Sequence, residues 1–130
     1  MMRAKTNQTA FTLIEMIVVL AIVALLVTIV SPSYFRSVAR ARENSMRTSL
    51  GTLRDAVDKF AADQGRYPDT LEELVVKRYI RMVPKDPLTG RSDTWLLTPA
   101  PADSLEHGNV YDIHSGAPGE SSDGVLLRAL

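Results

Sequence analysis

From Phe11 to Val30 the chain carries only three polar side chains, Thr12, Glu15 and Thr28. A helix rises about 1.5 Å per residue, so a run of this length spans about 30 Å, the thickness of a bilayer's hydrocarbon core. The segment 11–30 therefore reads as one membrane-spanning helix. Arg3 and Lys5 precede it and no acid does, which places the N-terminus in the cytoplasm and everything after Val30 on the far side. A secretory signal shares the basic start and apolar middle, and Ser31-Pro32-Ser33 loosely imitates a small-x-small cleavage site. Its apolar core is shorter, however, and here an acid stands at the front edge and a proline beside the scissile position. Glu15 is the anomaly. A carboxylate at hydrocarbon depth costs roughly 2.5–3.5 kcal/mol on insertion scales, and such residues have partners and functions.

Thr9-Ala10-Phe11-Thr12-Leu13-Ile14-Glu15, followed by an aliphatic stretch, resembles the class III signal of type IV pilins and type II secretion pseudopilins. The resemblance implies that a prepilin peptidase removes the basic leader, residues 1–10, by cutting between Ala10 and Phe11. It also implies that the new Phe11 amine is N-methylated. Ala10 stands where the family nearly always has glycine; alanine is the next smallest side chain, so cleavage is expected to survive, more slowly. The cationic Phe11 amine of one subunit can then pair with Glu15 of a neighbour. Each charge is costly alone in a low-dielectric bundle, so the pair sets axial register. Glu15 is thus expected to form an assembly salt bridge and to have no catalytic role. Pro32 sits at the depth where pilin-like helices carry a proline, which removes a backbone hydrogen bond and permits a kink. Alternatively, Ser31-Pro32-Ser33 ends one helix and begins another.

Beyond this point Met46, Leu50, Leu53, Val57 and Phe60 recur at helical spacing, with Arg36, Arg40, Arg47, Arg54, Asp55, Asp58 and Lys59 on other faces. An amphipathic stalk over 31–64 is expected to stop at Gly65. Such a stripe cannot bury itself, so residues 65–130 must supply a covering head. Asp69 or Thr70 can cap a short helix from Leu71 to about Lys77, with Glu72 or Glu73 completing a capping box. Pro84, Pro87 and Gly90 mark a loop. Trp95–Thr98 and Val110–His114 read as strands, with Val125–Leu127 a possible third. The fold class is α+β: a long N-terminal helix packed on a small antiparallel sheet.

The head motifs Gly65-Arg66-Tyr67-Pro68, Tyr79 to Pro87, and Val110-Tyr111-Asp112-Ile113-His114-Ser115 are similar to the major, G-type pseudopilin family. The resemblance implies a structural subunit of a periplasmic pseudopilus that drives or gates export of folded proteins. It implies a homopolymer, with other pseudopilins, prepilin peptidase and an inner-membrane assembly platform as partners. It also implies a single-pass anchor in the bacterial inner membrane, with the head in the periplasm. The alternative is a type IV pilin or minor pilin of an extracellular fibre. The chain has no cysteine, which shifts weight from pili whose C-terminal loop is closed by a disulfide.

G-type heads hold calcium in a loop after the Tyr-Asp strand. Here that loop, Ser115 to Gly124, offers Ser115, Glu120 and Asp123 as candidate ligands, few for an ion that takes six to eight oxygens. A plain glycine-rich loop is the alternative. Arg36, Arg40, Arg42, Arg47 and Arg54 on the stalk face only Glu43, whereas residues 101–127 carry Asp103, Glu106, Asp112, Glu120 and Asp123 with no lysine or arginine. This asymmetry either steers one subunit onto another or describes two solvated surfaces. Arginines just outside a membrane also reach lipid headgroups. Fifteen basic and fifteen acidic residues balance and no basic, aromatic-interleaved patch stands out, which argues against nucleic acid as a partner. His107 and His114 have no nucleophile-base-orienter spacing around them, so the chain is read as a non-enzyme.

Overall fold

A computed structural model describes residues 9–130. The expected leader therefore lies, apart from Thr9 and Ala10, outside the described residues. The elements run α1 (Leu13–Gln64), α2 (Leu71–Val76), β1 (Leu96–Thr98), β2 (Asp112–His114) and a 3-10 turn over Leu127–Ala129. The chain divides into two compact units, one reaching to Val38 and the other Ala39–Leu130.

Helix α1 begins where the sequence can cap it. The Thr12 hydroxyl accepts the Glu15 N–H at 3.1 Å, so Thr12 is the N-cap and Glu15 the third helical residue, the spacing of a capping box. Pro32 lies inside α1, so Ser31-Pro32-Ser33 does not separate two helices. Proline has no N–H to offer the Thr28 carbonyl one turn back. At the far end Gly65 adopts φ 68° and its N–H returns to the Ala61 carbonyl at 2.9 Å. A left-handed residue closing the last turn in this way is the stop that a glycine makes easy.

In the first unit, every residue of the apolar run Phe11–Val30 is exposed. The second unit holds the core. Met46, Leu50, Leu53, Val57 and Phe60 are buried, as the periodicity predicts, together with Ala56, Ala61 and Glu43. The cover consists of Leu71 and Leu74 from α2, then Trp95, Val110, Ile113, Ala117 and Leu127. Thr70 caps α2: its hydroxyl accepts the Glu73 N–H at 3.3 Å, and the Glu73 carboxylate reaches back to the Asp69 N–H at 2.9 Å. The buried Trp95 indole donates to the Pro84 carbonyl at 2.8 Å, so its polar edge is satisfied.

Strands β1 and β2 are antiparallel, with Leu97 opposite Ile113. Ile113 turns into the core while β1 stays exposed along its length. The expected third strand does not join them. The Leu127 N–H bonds to the Gly119 carbonyl at 3.0 Å and the Ser121 N–H to the Val125 carbonyl at 2.7 Å. Residues 119–127 thus close on themselves, with a single bridge between Glu120 and Leu126. These backbone groups are spent within the turn and do not pair with β1 or β2. Between β2 and this turn, Gly116 passes so close to the Thr94 carbonyl that any Cβ there meets the oxygen.

Candidate functional site

Two places carry the chemistry, each within one unit. The first is the head of α1. Phe11 and Glu15 are exposed there, and Glu15 sits in the first helical turn, where a carboxylate gains about 0.3–1 kcal/mol from the helix dipole. That gain offsets part of its cost in hydrocarbon. Among the described residues no cation pairs with Glu15. The arrangement is a carboxyl side chain displayed at the start of an uncovered apolar helix. Thr12, which caps this turn, is legible in the sequence as the first member of Thr12-x-x-Glu15.

The second place is the surface where α1 meets the C-terminal loop. Glu43 is 7 % exposed. It extends the apolar stripe backward by one step, three residues before Met46, and that spacing was the available signal. Its Oε2 accepts the Ser122 N–H at 2.9 Å and its Oε1 accepts Arg47 Nη2 at 2.9 Å. The Ser122 N–H, and then the Arg47 guanidinium, hold the Glu43 carboxyl below the usual carboxylate range. The same Arg47 nitrogen reaches Asp123 Oδ2 at 3.1 Å. Two turns further along α1, Arg54 donates to Asp112 Oδ1 at 2.8 Å and to the carbonyls of Ile113 and Leu130, each at 2.7 Å. Arg47 and Arg54 therefore do not point away from the head, and Asp123 and Asp112 find their cations inside the subunit. Arg66 pairs with Glu73 and lies over the Phe60 ring at 5.1 Å.

The candidate calcium ligands are placed apart in role. Ser115 is buried, its hydroxyl donating to Asp86 and accepting the Ala117 N–H at 3.1 Å. Glu120 is exposed in the bridge to Leu126. Asp123 is paired with Arg47. Among the described residues no group of three or more His, Cys, Asp or Glu side chains is gathered to hold a metal. Ser115 and Asp123 are thus engaged within the chain, while the Glu120 side chain is exposed.

The family described as the prokaryotic N-terminal methylation motif matches residues 5–31. The chain is 30% identical to the type II secretion system core protein G of Klebsiella michiganensis, over 92% of each chain. It is 33% identical to the protein of the same name from Klebsiella pneumoniae, over 92% of this chain and 93% of that one. The type IV major pilin protein PilA of Myxococcus xanthus is 32% identical over 55% of this chain and 33% of its own. No solved structure matches the chain significantly. An N-terminal helix apolar enough to anchor the chain in a membrane, an α+β head closed over its second half, and identity that runs nearly end to end make this chain a member of the type II secretion system core protein G family.

Proposed function

We propose that the protein is a structural subunit of a type II secretion pseudopilus, cut between Ala10 and Phe11, N-methylated on Phe11 and polymerised through its N-terminal helix. The observation that carries this reading is the uncovered apolar run Phe11–Val30 with Glu15 at its head, in a chain whose second unit completes its own core. Lipid covers such a helix in the monomer, and the helices of neighbouring subunits cover it in a filament. The Phe11 amine of the next subunit supplies the cation for Glu15. Arg3 and Lys5 ahead of the run keep the N-terminus cytoplasmic and the head periplasmic. The partners are copies of this chain, other pseudopilins, a prepilin peptidase and the inner-membrane assembly platform, and the polymer drives or gates export of folded proteins without a catalytic step of its own. A surface pilus is the weaker reading, because the pilin match covers only about half of the chain.

Mass spectrometry of the full chain recovered from membranes tests the processing. An N-methylated Phe11 is expected; an intact Met1 or a cut near Ser33 contradicts it. Glu15→Ala is expected to remain inserted and processed but to assemble no filaments. Wild-type numbers of filaments from that variant sink the assembly role.

A further inference from the structure

The C-terminal loop is built as a tight turn whose tip faces α1. Ser121 is buried, and its hydroxyl accepts the N–H groups of Asp123 and Val125, both at 3.3 Å. The Gly124 N–H closes onto the Ser121 carbonyl at 3.0 Å, with Gly124 at φ 78°. These bonds give the turn its shape, and none of them attaches it to the helix. Attachment at the tip comes from two contacts: the Ser122 N–H on Glu43, and an Arg47 nitrogen on Asp123 that also holds Glu43.

We infer that the Arg47 guanidinium is the resident cation of this loop, clamping residues 121–124 onto α1 between Glu43 and Asp123, so that the head closes without calcium. Glu43 comes from the helix and Asp123 from the loop, 80 positions apart by their numbers, and a single positive group lies between them. A cation bridging two carboxylates from separate segments is what a bound metal supplies elsewhere, and here a side chain supplies it. A divalent ion on Asp123 competes with Arg47 for that carboxylate. An Arg47 drawn away from both acids leaves Glu43 buried with only the Ser122 N–H for compensation, which is unfavourable. A planar guanidinium suits the position because it offers several donors in fixed directions, whereas an ammonium is a point charge.

The test uses the full chain in detergent micelles, followed by thermal melting and by amide hydrogen exchange. With chelator or with millimolar calcium chloride, the wild type is expected to melt at the same temperature and to protect Ser122 and Val125 equally. Arg47→Met keeps the packing stem and removes the charge. It is expected to speed exchange at Ser122 about tenfold or more, as loss of a charge-assisted contact implies, while amides from Leu53 to Phe60 are unchanged. Arg47→Lys, which retains the charge, is expected to fall between the two and keeps the test open if the methionine variant does not fold. Calcium that raises the wild-type melting temperature or slows exchange at residues 121–125 overturns the inference. So does an Arg47→Met protein whose Ser122 exchanges at the wild-type rate.

Discussion

At Glu43 a carboxylate occupies a position that the stripe reserves for an apolar side chain, and it is tolerated because two donors meet it there. Arg54 is the complementary case: a cation rooted on α1 that ties β2 and Leu130 to the helix through three bonds. Arg54→Met is expected to destabilise the head by on the order of 1–2 kcal/mol, since it removes three hydrogen bonds at a partly exposed site; thermal unfolding of the full chain measures this. Glu73 contributes to the acid dependence of stability. The Arg66 guanidinium, helped by the Asp69 N–H, holds the Glu73 carboxyl below its ordinary range. A carboxyl lowered on folding adds stability above its unfolded value, near about 4.3, and loses it as pH falls through the folded value. Glu73→Gln is therefore expected to flatten the stability profile on the acid side of about pH 4.3, read by melts across that range. Glu15 was legible at this scale because it is the one charge in a hydrocarbon-length run. Arg47 and Arg54 were not, because periodicity places a backbone position on a face while a long side chain reaches around it.

Among the elements, α1 shows how far local signals reach. Its stripe, its stop at Gly65 and its Thr12 cap are all short-range features. Helix α2 follows the same logic with Thr70 and Glu73, and Thr70→Ala is expected to cost about 1 kcal/mol, measurable as a lowered melting temperature. Its other end is less favourable. Arg78 takes φ 64°, while the N–H groups of Lys77, Arg78 and Tyr79 close the last turn. A left-handed conformation costs a residue with a Cβ roughly 1–2 kcal/mol, which glycine avoids in exchange for greater chain entropy when unfolded. Arg78→Gly is expected to be neutral to stabilising by up to about 1 kcal/mol, and a lowered melting temperature contradicts this account. The strands were less legible. Val125-Leu126-Leu127 has the composition of a strand, but a run this short takes its partner from the surrounding fold.

For the whole molecule, the division at Val38 and Ala39 separates an uncovered apolar helix from a unit with a complete core. Leu53, fully buried near the middle of the stripe, is expected to cost about 2–5 kcal/mol when replaced by alanine. The variant is expected to lose the head's native Trp95 fluorescence at a lower temperature while still partitioning into membranes like the wild type. Loss of membrane association in that variant argues against independent units. Sequence alone determined the membrane-length run, the singular Glu15 and the buried stripe with its stop at Gly65, because length, period and spacing are properties of neighbouring residues. Tertiary structure alone decided that Arg47 takes Asp123 and Arg54 takes Asp112, across 76 and 58 positions of chain, and that residues 119–127 close on themselves. Those outcomes depend on which distant groups the packed core brings within hydrogen-bond reach, and no local pattern encodes that.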